Sequence, residues 1–286
     1  LKTPREKKKT NTVGVIPVSG WSDRLGFIWP DCCSPVGLSY MAIERSILEC
    51  AYAGCSSIWV VCNDASAPLI KEKIGDYIIA PHCYESRPYV KYFKEHIKHV
   101  PVFYVPVHPK DRDRRDSLGW SVLHGCLSAF LVSSQISSWI APRKYYVSFP
   151  YGLYDPLIVR DHVKEINSEK NFFLSFGDLT VRDNLYLGFT ISPDEWKQLR
   201  YDLKISCTGG DKSIPYYKRW SSRYFTLDKI FKNDNIVVDK KREIKKYHDL
   251  SSWDSLEKFY KSSLSLEKPA DRIIGPFYYK GIYEIE

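Results

Sequence analysis

Apolar positions along the chain fall into short blocks whose spacing alternates between strand-like and helix-like. Val13, Val15, Ile16 and Val18 form a compact apolar run that stops at Ser19-Gly20, where the chain must turn. Tyr40, Ile43, Ile47 and Ala51, with Met41 and Leu48 beside them, recur at three- and four-residue spacing and predict one face of a helix. Gly54 stands where a helix C-cap belongs, and Ile58-Trp59-Val60-Val61 predicts the next buried strand. Strand, helix and strand joined by short links make a βαβ unit over 13–63, with its two strands parallel. Such sheets bind ligands at the carboxyl ends of their strands, which places the 19–25 loop at the active edge.

The pattern continues in the same style. It predicts a short amphipathic helix over 67–76, then a mixed aromatic stretch broken by Pro81 and Pro88, then a strand over 102–107. A charged loop (HPKDRDRRD) precedes a helix over 117–132, whose buried face is marked by Leu118, Val122, Leu123, Cys126 and Phe130. A strand over 145–149, a helix over 156–166 and strands over 171–176 and 185–190 follow. Ser192 N-caps a helix over 193–203 with Glu195 near its third position. Residues 204–217, holding Gly209-Gly210, read as loop, and 251–263 as a late helix. This order predicts an α/β fold of three layers, α/β/α and Rossmann-like, around a mixed, mostly parallel sheet. It divides into an arm (1–12), an α/β domain (13–265) with an acceptor-side insertion (204–250), and an extension (266–286).

Composition narrows the class. The 286 residues are 44% hydrophobic and 15% aromatic, which is globular and long enough for a full core. No apolar run approaches the ~20 residues of a membrane span, and residues 1–12 carry no apolar leader. The expectation is a cytoplasmic protein without a membrane partner. The eight cysteines include no CxxC pair and lie mostly in apolar segments, so buried free thiols are expected rather than disulfides or a zinc site. The net charge of +8 suits a polyanionic partner and equally a soluble basic surface. The arm LKTPREKKKTNT reads either as solvated or as phosphate-seeking.

The order of segments resembles the nucleotidyltransferase superfamily of glycosyltransferase-A type fold, in particular the sugar-1-phosphate nucleotidylyltransferases. Ser19-Gly20-Trp21-Ser22-Asp23-Arg24-Leu25 occupies the place of that family's glycine-rich loop, Pro30-Asp31 its P-K pair and Pro35-Val36 its P-V pair. Ala53-Gly54 ends the helix before IWVVCND, and Arg115 to Trp120 (RDSLGW) is similar to the family's P-L-G-T segment. YVSF at 146–149 resembles the strand that ends in G-D, and YHDLSSW at 247–253 the late W-x-D motif. The resemblance covers about residues 13–260 and implies a nucleoside triphosphate or nucleoside-diphosphate sugar as ligand, with Mg²⁺ as cofactor. It assigns nucleotide binding to Val18, Ser19, Gly20, Trp21, Ser22, Asp23, Arg24, Asn63, Leu118 and Gly119. Arg24 and Asp249 take the catalytic positions, and Asp249 also that of a metal ligand.

Departures from the pattern carry as much weight. A lysine of the family aligns with Asp31, where an anion repels phosphate, and a metal-binding aspartate aligns with Pro150, which ligates nothing. Asp155 lies five residues on and reaches that position only if its loop folds back. Asp249 reads either as a metal ligand or as a cap of the helix behind it. Asp111 and Asp113 imitate a D-x-D pair, but amid four basic residues they read as a solvated loop. Trp21, Trp29 and Tyr151 suit stacking of a base or sugar, although 21 tyrosines and 8 tryptophans make such placements common. Lys218, Arg219 and Arg223, interleaved with aromatic rings, suit either a nucleic-acid acceptor or subdomain packing. Tyr151 and Asp155 join them as acceptor-side candidates.

Three function classes follow. One is a nucleotidylyltransferase-like, nucleotide-sugar-related transferase. The second is a glycosyltransferase acting from a nucleotide-sugar donor on a polyanion such as modified DNA. The third is a non-catalytic descendant that binds a nucleotide or a protein partner.

Overall fold

The first apolar run is buried along its whole length as β1 (Thr12–Pro17), as a strand covered on both faces requires. The computed structural model describes residues 11–21, 23–80, 99–108, 111, 115, 117–208, 225–232 and 236–268. A hairpin of β2 (Pro35–Gly37) and β3 (Tyr40–Met41) precedes α1 (Ala42–Tyr52), so Tyr40 and Met41 belong to a strand and not to the helix. β4 (Ile58–Cys62), α2 (Ala67–Ile74), β5 (Tyr77–Ile79) and β6 (His99–Pro106) follow. Next come α3 (Leu118–Ile136), β7 (Lys144–Val147) and β8 (Gly152–Leu153). The predicted helix over 156–166 is a 3₁₀ stretch, Pro156–His162, running into a single turn, α4 (Val163–Ile166). β9 (Phe172–Ser175), β10 (Phe189–Ile191), α5 (Pro193–Thr208), α6 (Leu227–Phe231), β11 (Lys240–Glu243), β12 (His248–Asp249) and α7 (Trp253–Lys261) complete the described chain.

The main sheet has eight strands in the order β11-β9-β10-β7-β1-β4-β6-β5. β7-β1-β4-β6 is a continuous parallel block, and β10 and β5 pair antiparallel at its flanks. Consecutive residues of β1 show the layers. A Cβ on Gly14 would lie 2.8 Å from Cys50 of α1, while Val15, on the other face, approaches Gly125 of α3. Helices therefore cover both faces, and the α/β/α expectation holds.

Local chemistry explains the helix starts. Ser117 Oγ accepts the Trp120 N–H at 3.2 Å, and Ser252 Oγ accepts that of Ser255 at 3.2 Å. Ser192 and Glu195 form the predicted reciprocal box, Ser192 N–H donating to Glu195 Oε2 at 2.7 Å. α5 runs on to Thr208, past the predicted end, so 204–208 is helix where loop was expected. Cys32, Cys33, Cys50, Cys55, Cys62 and Cys126 are buried free thiols. Among the described residues no helix is long and apolar enough to cross a membrane.

Candidate functional site

β4 and β6 lie on one side of β1 and β7 on the other, so the sheet order reverses at β1. The crevice at such a reversal opens at the carboxyl ends of the strands. Here it is built from the loops after β1, β4 and β7.

The loop after β1 is held by its own backbone and by neighbours. Val18 and Ser19 N–H groups both donate to the Val61 carbonyl, at 2.8 and 2.9 Å. Tyr151 donates its hydroxyl to the Val18 carbonyl at 3.0 Å, and Ser121 donates to that of Ser19 at 2.6 Å. Gly20 has φ +87°, and a Cβ there would meet the Ser117 carbonyl carbon at 2.3 Å. Only glycine allows the loop to rest on the start of α3 in this way.

Asp31, fully buried, organises the remainder. Its Oδ2 accepts the Trp21 indole N–H at 3.0 Å, the Arg24 N–H at 2.7 Å and the Leu25 N–H at 3.4 Å. Its own N–H donates to Asp23 Oδ1 at 3.1 Å. The residue standing in place of a lysine thus closes the loop from inside. Trp21 stacks on Tyr151 with ring centroids 3.8 Å apart and 7° between planes. The guanidinium of Arg24, an exposed residue, lies 4.8 Å from the Trp21 ring. Tyr186 meets Trp21 edge-on at 5.2 Å. Burial raises the Tyr186 phenol above its ordinary range, with the Arg24 charge opposing and the Asp249 charge reinforcing. Arg24 and Asp249 therefore act on the same side chain.

A cavity of about 260 Å³ opens at this edge, and Val18, Trp21, Asp23, Trp29, Asn63 and Tyr151 contribute to its lining. Of its eleven lining residues, five (Val18, Trp21, Asp23, Asn63 and Tyr151) are among those named from the sequence as nucleotide- or acceptor-binding candidates. Tyr151, expected on the acceptor side, is 1% exposed and serves as a prop beneath Trp21. Ser19 is buried, Leu118 is buried, and Gly119 lies under Ile230 of α6, whose Cδ1 would be 2.2 Å from a Cβ. Asp155 does not fold back to the end of β7. It accepts the Leu157 N–H at 2.9 Å, capping the 3₁₀ stretch, and lines a separate cavity with Tyr52 and Leu266. Asp111 pairs with Arg115 at 2.8 Å, and with each side chain only 16% exposed the pair is half-buried and not the solvated loop expected. Ser22, Asp113, Lys218, Arg219 and Arg223 lie outside the described residues.

Asp249 pairs with Gly152 across β12 and β8, and its Oδ1 accepts from the N–H of Ser251 at 3.0 Å and from the Ser251 hydroxyl. The cap of α7 is Ser252, so the capping alternative for Asp249 is filled by another residue. Pro150 offers no second carboxylate, and among the described residues no cluster of three His, Cys, Asp or Glu side chains is placed to hold a metal. Mg²⁺ is usually bound through one or two carboxylates together with substrate phosphates and waters, and Asp249, with Oδ2 left over from the Ser251 contacts, offers one such carboxylate.

One buried network was not foreseen. Glu49 Oε2 accepts from Arg45 at 2.8 Å and Ser148 at 2.6 Å, while Oε1 accepts from Tyr146 at 2.6 Å and Tyr154 at 2.7 Å. Arg45 also donates to the Phe149 carbonyl at 2.6 Å and lies over the Tyr154 ring. Burial pulls the Arg45 guanidinium down, but Glu49 and the phenols outweigh it and hold it above its ordinary range. The network ties α1 to the turn carrying Pro150 and Tyr151. An i,i+4 Arg–Glu pair reads from sequence as a surface pair, which hid it.

No protein-family model and no curated protein sequence matches the chain. Solved structures do. A Bacillus anthracis structure described as a glucose-1-phosphate thymidylyltransferase, in complex with sucrose, superposes with a TM-score of 0.54 at 10% identity, covering 90% of this chain and 98% of that one. A nucleoside-diphosphate-sugar pyrophosphorylase from Vibrio cholerae RC9 gives 0.52 at 10% identity, covering 87% and 100%. A UDP-glucose pyrophosphorylase complexed with UDP-glucose gives 0.51 at 12% identity, covering 88% and 97%. The fold is the one shared by these nucleotide-sugar enzymes.

Proposed function

We propose that the protein is a nucleotide-sugar-related transferase, nucleotidylyltransferase-like, that binds the phosphates of a nucleoside phosphate at the 19–25 loop. The carrying observation is Arg24, an exposed cation placed over Trp21 beside the cavity at the sheet reversal. A guanidinium pairs with phosphate through two parallel hydrogen bonds, and stacking on an indole fixes its direction. Trp29, 38% exposed at the same cavity, offers a face for a base or sugar ring. Asn63 and Asp23 supply polar groups of the kind that fix orientation in such sites. Arg24 would also offset charge developing at phosphorus during transfer.

A second reading, binding without catalysis, is favoured by Pro150, which offers no carboxylate to accompany Asp249. A thermal-shift panel of nucleoside triphosphates and nucleoside-diphosphate sugars, each with and without Mg²⁺, tests both. A ligand at a hundredfold excess over its Kd adds about 2.7 kcal/mol of stability, which such a measurement detects. At least one nucleotide is expected to stabilise the native chain and to lose that effect in Arg24→Ala. A flat panel overturns the nucleotide reading. Recovery of the bound ligand chemically unchanged, with every acceptor tried, selects the non-catalytic one.

A further inference from the structure

We propose that Asp31 is a resident anion of the loop after β1, and that it withholds the loop's backbone donors from ligand phosphates, leaving Arg24 as the loop's own cation for them. Three N–H donors converge on one carboxylate oxygen, and two of them are the successive backbone N–H groups of Arg24 and Leu25. Successive backbone N–H groups turned to one point form an anion-binding concavity, the arrangement that proteins use for phosphate. In this chain the concavity is filled from within. Asp31 has no exposed surface, and no Lys, Arg or His among the described residues pairs with it. Its charge is carried by hydrogen-bond dipoles, as that of a bound anion would be. Its second oxygen, Oδ1, is buried without a partner, so the pocket is shaped around one accepting atom.

A ligand phosphate approaching these donors meets a full negative charge in their place, and like charges in contact disfavour binding. Within the 19–25 loop the cation that remains is the Arg24 guanidinium, suited to one bidentate phosphate contact. Asp31 is therefore a specificity-determining residue that disfavours dense phosphate charge against the loop's backbone and leaves the contact to the Arg24 side chain. This specificity role rests on the nucleotide reading above, whereas the resident-anion role of Asp31 does not.

The experiment compares wild type, Asp31→Ala and Asp31→Asn, with formate and inorganic tripolyphosphate as probes. Wild type is expected to respond to neither. Asp31→Ala is expected to melt earlier and to regain most of the lost temperature in millimolar formate, a carboxylate of the deleted size, but not in equimolar chloride. A merely structural side chain would give no such anion-selective rescue. Tripolyphosphate is expected to bind Asp31→Ala about tenfold or more tightly than wild type, since a charge-assisted set of donors has been freed. Should Asp31→Ala not fold, Asp31→Asn keeps the shape and removes the charge; its amide oxygen still occupies the donors, so a smaller gain in tripolyphosphate affinity, from loss of the like charge, is expected. Unchanged tripolyphosphate affinity in the folded variants, or wild type binding it as tightly, overturns the proposal. A flat nucleotide panel alongside formate rescue removes the nucleotide reading and the specificity role but leaves the resident anion standing.

Discussion

Glu49 shows how much one side chain can hold in this fold. Both of its oxygens are used twice, by Arg45, Ser148, Tyr146 and Tyr154, and neither member of the ion pair has exposed surface. Removing one partner of a buried pair strands the other charge, which costs about 3–5 kcal/mol. Glu49→Ala is expected to lose that much in a chemical-denaturation midpoint experiment, because Arg45 and three hydroxyls lose their acceptor together. Replacing both ions with apolar residues, Arg45→Met with Glu49→Leu, is expected to recover only the part due to the stranded charge, since the three hydroxyls still lack their acceptor. A loss under about 1 kcal/mol in Glu49→Ala would show that water reaches Arg45 and that the network is not closed. The backbone carbonyl of Phe149 depends on Arg45, so the same variant is expected to weaken nucleotide binding by loosening the turn that carries Tyr151.

At the scale of elements, the loop after β1 and the start of α3 are locked backbone to backbone. A methyl at Gly20 would stand 2.3 Å from the Ser117 carbonyl carbon and 2.5 Å from its oxygen, at φ +87°. Neither atom can rotate away, and a non-glycine residue in left-handed backbone adds about 1–2 kcal/mol of strain. Gly119 is different, because its nearest neighbour is the terminal Cδ1 of Ile230, which another rotamer can move. Gly20→Ala is therefore expected to lower the melting temperature clearly more than Gly119→Ala, and to abolish ligand binding by lifting the loop off α3. Equal effects would show that the loop is not seated on the helix. The same contrast explains what was legible beforehand. Short apolar runs revealed β1, β4 and β7, which are buried throughout, apolar spacing revealed α1 and α3, and the Ser192–Glu195 cap revealed α5. The hairpin of Pro35–Gly37 with Tyr40–Met41 escaped because two- and three-residue strands carry no period. The loop position of Arg24 could be read from segment order. The job of Asp31 could not, because a buried carboxylate closing a loop and an exposed one repelling phosphate look alike in a sequence.

For the molecule as a whole, the sign of its pH dependence follows from its histidines and its net charge. His124 donates its Nε2–H to the Pro106 carbonyl across 3.1 Å, and burial lowers its pKa from the ordinary 6.5, with the carbonyl opposing. Burial likewise lowers that of His248, with Asp249 opposing. A base whose pKa is lower when folded binds fewer protons folded than unfolded. Between the folded value and 6.5 the unfolded chain takes up the extra proton, so stability falls as the pH falls through that window. Net charge works in the same direction. The chain already carries +8 with its seven histidines neutral, and protonating them nearly doubles the self-repulsion source. The carboxylates act later. Glu165, lowered chiefly by its hydrogen bonds from Arg242, contributes stability that is present above its unfolded value of 4.5 and lost as pH falls through its folded one. Calorimetric melting from about pH 8 to about pH 5 is thus expected to show a steady fall in Tm beginning near the histidine range. In His124→Gln/His248→Gln the fall is expected to be shallower there and, with melting carried on to about pH 3, unchanged through the carboxylate range. A wild-type Tm that stays level through the histidine window, or a double variant with the same slope, would mean that both rings are protonated as readily in the fold as in the open chain.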